Sequence, residues 1–337
     1  MSTFHTPVMA KECINLLNLR AGKVYVDATT GGGGHSAAML NAQPQIQLYC
    51  FDQDAQAITE TEQMLRAKIN KDTSSEQAKV ELIKANFVNM RTELALRKVK
   101  GIDGILFDLG VSSFQLDNAE RGFSFDKNAP LDMRMDTAQD YSAYNAVNEL
   151  DVQQLARIFK EYSDELNATR IARAIEKSEK PISSTKELAK IIESVVGVGT
   201  KESLKSKVRV FQALRIFVNH ELEYLELAIL DAINMLNPGG RIVVLSYHSL
   251  EDRIVKQVFR LAAQDCVCPP SIMICMCNHR SQLQILTKTP HIAGTDELKS
   301  NPRSRSAKLR AAEKIGKETT KPKSSKYGSK DAAKGEK

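Results

Sequence analysis

The chain has 337 residues, 42% of them hydrophobic, which suffices for one large core or for one core with an insertion. Its formal net charge of +6 is uneven, because the 13 Lys and Arg and 4 Asp and Glu after Leu298 give +9 there and leave −3 for residues 1–298. No apolar run approaches the ~20 residues of a transmembrane helix, the N-terminus lacks a secretory signal pattern, and six cysteines are too few for a disulfide scaffold. These features exclude the membrane and disulfide-rich secreted classes and predict a cytoplasmic protein with reduced thiols.

The segment after Ala312 is a mixture of Lys, Ser, Gly and Ala that cannot bury a core. We therefore predict that residues 313–337 form a disordered basic tail. Such a tail suggests an acidic partner such as nucleic acid. A solubilising end without a partner is the alternative, and charge alone does not separate the two.

The first predicted elements are an amphipathic helix, a strand and a glycine-rich loop. The helix covers Pro7 to Leu19 and the strand covers Val24 to Val26. The strand ends at Asp27, and Gly31 to Gly34 precede another predicted helix. This order lets backbone N–H groups at a helix start approach a ligand closely, although many tight turns also use a glycine run.

Two further predicted strands also end in an acid. Leu48 to Phe51 precedes Asp52, and Ile105 to Phe107 precedes Asp108. Ligands of open α/β sheets bind at the carboxyl ends of the strands, where these acids would lie. A dinucleotide dehydrogenase is the rival interpretation, but its glycine pattern differs and its pyrophosphate would be repelled by Asp27. An acid at the loop suits a ligand with positive charge and no phosphate, such as S-adenosylmethionine.

Strands and helices alternate up to Asp108, which predicts a parallel α/β sheet. Asp54 to Ile69 is a predicted helix, Lys71 to Ala78 a polar connection, and Val80 to Ile83 a strand. The alternation then stops in a segment rich in Gly, Ser, Asp and Pro, residues 109–134, whose length is typical of a functional loop.

A mostly helical region follows and is predicted to be an insertion, residues 113–207, into a core made of residues 1–112 and 208–312. Asp151 and the capping box at Ser184 to Glu187 are predicted to start helices within it. Val208 to Leu236 is predicted as one long helix ended by Asn237-Pro238-Gly239-Gly240. Arg241 to Ser246 then resumes the sheet. Two more elements are predicted: a helix at Ile254 to Ala262 and a last strand at Ala307 to Arg310.

Four cysteines lie close together in the sequence as Cys266-x-Cys268 and Cys275-x-Cys277. Two thiol pairs can hold Zn²⁺, but the single residue within each pair is tighter than the usual spacing of two to four. Structural thiols are therefore the default interpretation, and no metal site is predicted.

Taken together, these motifs resemble the bacterial RsmH (MraW) family over about residues 4–312. The matching stretches are His5 to Val8, Gly31 to His35, Asp108 to Ser113, Gln115 to Asp117, Glu120 to Ser124, Pro130 to Met135, Phe211 to Ile216, His248 to Arg253 and Asn301 to Ser306. The lysine-rich tail lies outside the family pattern, and Tyr247 stands where many relatives have Phe.

The resemblance implies an α/β fold of the class I methyltransferase (Rossmann-like) type, a seven-stranded sheet with an inserted all-helical domain. It implies methylation of the exocyclic N4 amine of a cytidine in 16S ribosomal RNA, with S-adenosyl-L-methionine as cofactor and the small ribosomal subunit as the expected setting. A small-molecule methyltransferase and a non-catalytic ribosome-assembly factor are the alternatives. Whether the protein forms a homodimer is left open.

The resemblance also implies a cofactor site, and the need of a cytosine amine for hydrogen-bond acceptors predicts a catalytic set. The cofactor-binding residues would be Gly33, Gly34, His35, Asp52, Phe87, Asp108 and Gln115, and the catalytic residues Asp108, His248 and Tyr247. His35 can instead be a helix-start cap, and Asp108 can instead bind only the methionyl ammonium. Phe123, Phe125 and Tyr247 are available to stack on a splayed-out base.

Overall fold

The computed structural model describes residues 6–69, 79–112, 115–116, 118–269, 271–272 and 274–316. The predicted features at His5, Ser113, Asp117, 71–78 and 317–337 lie outside these ranges.

The described residues form a seven-stranded sheet, as predicted. Its strands are β1 (Val24–Asp27), β2 (Gln47–Asp52), β3 (Lys79–Lys84), β4 (Ile102–Asp108), β5 (Leu236–Ser246), β6 (Leu283–Ile285) and β7 (Lys308–Lys314). The order is β3-β2-β1-β4-β5-β7-β6, with β1 to β5 parallel and β7 antiparallel to both of its neighbours. β4 is buried over nearly its whole length, as expected for a central strand covered on both faces.

The last strands differ from the prediction in extent. β7 continues to Lys314, two residues into the segment predicted as a disordered tail, because it pairs with β5 over Arg241 to Ser246. β6 was not predicted, since three residues carry too little periodic signal. Asn237-Pro238-Gly239-Gly240, predicted as a helix stop, lies inside β5, where the register with β4 shifts.

Twelve α-helices lie entirely within the described residues. They are α1 (Ala10–Leu17), α2 (Gly34–Ala42), α3 (Ala55–Ile69), α4 (Met90–Leu96), α5 (Ala143–Glu149), α6 (Val152–Ser163), α7 (Ala168–Glu176), α8 (Thr185–Val196), α9 (Lys201–Asn219), α10 (Glu221–Met235), α11 (Ser249–Ala262) and α12 (Thr295–Ser300). The predicted caps at Asp151 and Ser184 are confirmed, each with a capping box. No helix among the described residues is both long and apolar enough to span a bilayer.

The single helix predicted for Val208 to Leu236 is wrong. α9 ends at Asn219, and His220 adopts a left-handed conformation with φ of 51° before α10 begins. The buried Asn219 amide donates to the carbonyl of Met133 and accepts from the backbone N–H of Met135, so it binds a segment distant in sequence. The apolar pattern continues on both sides of this break and no Gly or Pro marks it, so the local sequence does not reveal it.

The apolar core forms three clusters. Two of them contain the strands of the sheet and the helices that cover it. The third contains only residues from 123 to 218, and its largest fully buried side chain is Phe159. A separate apolar core is what an inserted domain would need, although the predicted boundary between residues 207 and 208 falls inside α9.

Arg121 and Gly122 organise the loop that leads from β4 to this helical region. The Arg121 guanidinium donates to Asp54 at 2.7 Å and to the carbonyl of Met135 at 2.9 Å. Gly122 has φ of +71°, and a Cβ atom on it would lie 2.3 Å from the carbonyl oxygen of Pro130. The turn therefore requires glycine for space as well as for its dihedral angle.

We predict that Gly122→Ala destabilises the protein far more than Gly199→Ala. Gly199 has a similar φ of +70° but nothing within 4 Å of its Cβ position, so its substitution should cost only the ~1–2 kcal/mol of a left-handed alanine. The collision with Pro130 adds to this cost at Gly122. Urea denaturation of both variants measures the difference, and equal losses would contradict the proposed collision.

Candidate active site

A cleft of about 1050 Å³ opens at the carboxyl ends of the parallel strands. Its walls include the glycine loop after β1, Asp52 at the end of β2, Phe87 after β3, Asp108 at the end of β4, and Tyr247 and His248 after β5. This is the edge where open α/β sheets bind ligands. The cleft therefore brings together predicted residues from five strands.

The glycine loop contributes backbone rather than side chains to the cleft. Gly31, Gly32 and Gly34 line it, whereas Gly33 does not. Gly33 has φ of +79°, and a Cβ atom there would lie 3.1 Å from Thr61. Position 33 thus requires glycine because the loop packs closely against α3 there. The backbone of the residues on either side of Gly33 faces the cleft.

Asp52 fixes the loop and faces the cleft at the same time. One carboxylate oxygen accepts from the backbone N–H of Gly31 at 2.9 Å, and the other accepts from that of Asp54 at 2.9 Å. Burial raises the pKa of Asp52 to about 6, with smaller contributions from the nearby Asp54 and Asp27 carboxylates. Each oxygen keeps a second lone pair, so Asp52 can still accept hydrogen bonds from a ligand.

Asp27 does not lie at the mouth of the loop as expected. It is fully buried beneath the loop and accepts a 2.6 Å hydrogen bond from the Ser36 hydroxyl. Burial raises its pKa. Asp27 therefore holds the start of α2 against β1, and the expectation that it contacts a cationic ligand is wrong.

His35, Asp108 and Tyr247 form one connected network. The two His35 ring nitrogens lie 3.0 Å from the Val8 carbonyl oxygen and 3.3 Å from Asp108 Oδ2. Asp108 Oδ1 accepts from the Tyr247 hydroxyl at 2.6 Å. Both ring nitrogens thus face an oxygen atom that can accept a hydrogen bond, an arrangement that favours the imidazolium form of the ring.

The electrostatics of the network agree with this assignment. Burial acts to lower the pKa of His35, but the hydrogen bonds to Asp108 and to Cys13 outweigh it and hold the pKa well above 6.5. Burial and the Asp108 carboxylate raise the pKa of Tyr247 well above 10. Asp108 thus pairs with a cation on one side and a neutral phenol on the other, with 24% of its side chain exposed.

His248 caps α11 and is already engaged by its own helix. Its Nδ1 accepts from the backbone N–H of Glu251, and its Nε2 lies 2.9 Å from the Glu251 carboxylate. Burial would raise the pKa of Glu251, but its contact with His248 and the positive charge of Arg215 lower it. His248 lines the cleft, yet its contacts indicate a residue that holds Tyr247 and α11 in position.

The two remaining predicted residues, Phe87 and Gln115, also line the cleft. Phe87 packs edge to face on Phe107 with ring centroids 5.8 Å apart. Gln115 donates to Asp54 at 3.0 Å and accepts from the backbone N–H of Ser112 at 2.9 Å. Its side chain therefore braces the loop after β4 against α3.

Aromatic side chains close the cleft on the side of the helical region. Phe123 and Phe125 line it, and Phe125 packs edge to face on Phe211 at 5.4 Å. Lys207 lies 5.3 Å from the Phe125 ring centroid. The two loop aromatics were predicted from the sequence, but the polar residues that shape this region, Asp54, Arg121, Arg215 and Glu251, were not. Arg121, Arg215 and Glu251 lie within family stretches that could have indicated them, whereas Asp54 lies outside every such stretch.

The sheet order, the antiparallel seventh strand and the acids beside the glycine loop define a class I methyltransferase. The chain belongs to the MraW methylase family, whose model matches residues 2–315. It is similar to ribosomal RNA small subunit methyltransferase H of Geobacter sulfurreducens, with 46% identity over 319 residues, 94% of this chain and 100% of the relative. The corresponding protein of Finegoldia magna is 43% identical over 315 residues, 92% of this chain and 98% of the relative.

Among solved structures, an rRNA methylase from Streptococcus thermophilus matches with a TM-score of 0.38 and 12% identity. The match covers 91% of this chain and 94% of that one.

We predict that the His35 ion pair contributes stability that is lost at alkaline pH. Because the folded pKa lies above the ordinary value of about 6.5, the contribution is complete below that pH and disappears as the pH rises through the folded pKa. Free energies of unfolding of the wild type and of His35→Gln should therefore converge with rising pH. The same change at the exposed His291 is the control. If the difference in free energy of unfolding between the wild type and His35→Gln widens with rising pH, the charge assigned to His35 is wrong.

Proposed function

We propose that the protein methylates the exocyclic N4 amine of a cytidine in small-subunit (16S) ribosomal RNA, with S-adenosyl-L-methionine as methyl donor. The observation that carries the proposal is the partly exposed Asp108 carboxylate, which shares one cleft with the glycine loop, Asp52 and the loop aromatics. The high identity to ribosomal RNA small subunit methyltransferases H supports the substrate class.

The residues of the cleft fit the cofactor. The cleft has a volume of about 1050 Å³, which is near the upper limit of the usual ~300–1,000 Å³ of small-molecule sites. It can therefore hold a nucleoside cofactor together with a substrate base. The free lone pairs of Asp52 suit a ribose diol, and the exposed backbone of Gly31 and Gly32 suits a methionyl group. Phe87 offers a ring for the adenine. When bound, the cofactor supplies an electrophilic methyl group on its sulfonium.

Asp108 is proposed as the acceptor for the reacting amine. The N4 lone pair of cytosine is delocalised into the ring, so acceptors aimed at the amine hydrogens favour the tetrahedral nitrogen of the transition state and stabilise its developing charge. The carboxylate has about four acceptor positions, and His35 and Tyr247 use two of them. The others can serve the amine and afterwards take its proton. Binding of the methionyl ammonium alone is the competing role for Asp108.

Tyr247 and His248 are proposed as supporting residues of the reaction. The Tyr247 hydroxyl holds one Asp108 oxygen, and its ring lines the cleft with Phe123 and Phe125, so the three rings can stack on a flipped base. His248 acts through its contacts with Glu251, whose other oxygen accepts from the Tyr247 backbone N–H at 2.7 Å.

The RNA backbone is proposed to contact the rim of the cleft, where Arg303 lies, together with the helical region and the lysine-rich segment after Gly316. That segment has seven Lys against three acids. We also propose that the assembled small subunit is the substrate, that the protein forms a homodimer, and that it is located in the cytoplasm. A small-molecule substrate is less compatible with the open aromatic wall of this cleft.

We predict that Asp108→Asn lowers turnover about 100-fold at saturating cofactor, the scale of one lost electrostatic contact in the transition state. Cofactor affinity should be nearly kept, because Asn retains the size and one acceptor. Mass-spectrometric nucleoside analysis of small-subunit RNA incubated with the protein measures N4-methylcytidine directly. Tyr247→Phe is the matched control, since it removes the 2.6 Å hydrogen bond but keeps the carboxylate, and should cost less.

Two outcomes would contradict this assignment. If cofactor affinity collapses in Asp108→Asn while turnover at saturation survives, Asp108 binds cofactor and is not the acceptor. If the wild type forms no N4-methylcytidine on free RNA, on assembling particles or on the finished subunit, the proposed reaction is wrong.

A further prediction concerns Asp52, which is proposed to bind the ribose as a carboxylate. Because its pKa is about 6, cofactor affinity measured by calorimetry should weaken as the pH falls through that value, approaching tenfold per pH unit. Asp52→Asn should remove this pH dependence while still accepting from Gly31. Asp52→Ala should weaken binding by roughly 1–3 kcal/mol. A flat wild-type profile, or tight binding of NAD, would contradict the proposed cofactor site.

A further inference from the structure

The segment between α11 and β6, residues 263–282, has no use in the proposed reaction. Its described residues form neither helix nor strand, and none of their side chains is buried. Ile274 and Met276 are 79% and 76% exposed. A connection of this length without apolar anchoring needs another source of order, and small units that lack a core commonly obtain it from a disulfide or a metal ion.

The four cysteines of this segment converge on one point. The Sγ atoms of Cys266, Cys268, Cys275 and Cys277 all lie within 4.8 Å of one another. Two of the separations are 3.6 Å, between Cys275 and Cys277, and 3.7 Å, between Cys277 and Cys266. With a Zn–S bond of about 2.3 Å, the sulfur atoms of a regular tetrahedral site lie about 3.8 Å apart. The spacing is thus that of thiolates around a single ion, and all four thiols are free.

Backbone N–H groups surround the sulfur atoms in the way a thiolate site requires. Val267 and His279 donate to Cys277 Sγ at 3.4 and 3.5 Å, and Met276 donates to Cys268 Sγ at 3.4 Å. Such contacts stabilise sulfur in its anionic form, which is the form that binds metal.

We propose that Cys266, Cys268, Cys275 and Cys277 bind one structural Zn²⁺ ion that fixes the segment between α11 and β6. Four thiolates fill a tetrahedral coordination shell and leave no open position, so the ion has a structural role and no role in catalysis. Soft sulfur ligands select Zn²⁺ over the hard cations Mg²⁺ and Ca²⁺. Binding displaces the remaining thiol protons to solvent, and therefore metal affinity falls as the pH falls.

The unusual spacing of one residue within each pair does not exclude this site. Cys-x-Cys pairs are tighter than the usual ligand spacing, but here the two pairs approach each other from opposite ends of one loop. The pairs are joined across it by the hydrogen bonds from Val267 to Cys277 and from Met276 to Cys268. The folded loop thus brings the two pairs together in a geometry that the spacing within each pair does not predict.

The test is the metal content of the full-length protein, purified without chelator from zinc-supplemented medium. Elemental mass spectrometry should find about one zinc per chain, lost in the double variant Cys275→Ser with Cys277→Ser. The matched control changes the intervening exposed residues, Val267→Ser with Met276→Ser, and should keep the metal. Cofactor calorimetry on each variant checks that the remainder of the protein is folded.

A second measurement uses the wild type alone and does not depend on the folding of any variant. After removal of zinc, titration with Co²⁺ should give the intense visible bands and sulfur charge-transfer bands of a tetrahedral tetrathiolate site. The proposal is wrong if the wild type contains no metal, if intact-mass analysis finds disulfides among these cysteines, or if the serine variant keeps its zinc. It is also wrong if Co²⁺ gives an octahedral spectrum.

Discussion

The contact between His35 and Asp108 is the constraint on which the site depends. It joins the first turn of α2 to the end of β4, and the other His35 nitrogen reaches Val8 next to α1. A charged imidazolium buried to this degree needs an anionic partner, because burial alone would remove its proton. The pair therefore fixes the direction of the Asp108 carboxylate, which in turn orients Tyr247. The carboxylate of this structural ion pair is therefore the group proposed to contact the reacting amine.

A second buried pair couples the sheet to the helical region. Asp54 at the start of α3 accepts from both Arg121 and Gln115, and the Arg121 and Asp54 side chains are only 10% and 5% exposed. Removing one partner of such a pair typically costs ~3–5 kcal/mol, since the other charge is left buried and unpaired. The loop after β4 is consequently held against the start of α3, and its aromatic residues keep a fixed position relative to Asp108.

Much of the fold was predictable because it follows local rules. The acid-terminated apolar runs predicted the parallel strands, and the capping sequences at Asp151 and Ser184 predicted two helix starts. The break at His220 was not predictable, because it depends on what Asn219 contacts 80 or more residues away. The role of Asp27 was misjudged for a similar reason: its position after a strand is visible in the sequence, but its burial beneath Ser36 is not.

The sequence by itself determined the sheet class, the carboxyl-edge acids Asp52 and Asp108, and the family, because each rests on residue type and spacing along the chain. Only the tertiary structure decided the oxygen atoms that surround His35, the helix that His248 caps, and the convergence of the four cysteines. These properties depend on which acceptors surround a ring, on which helix a side chain caps, and on how closely two chain segments approach. These three properties therefore depend on distances between segments that are far apart in the sequence, and the neighbouring residues along the chain do not determine them.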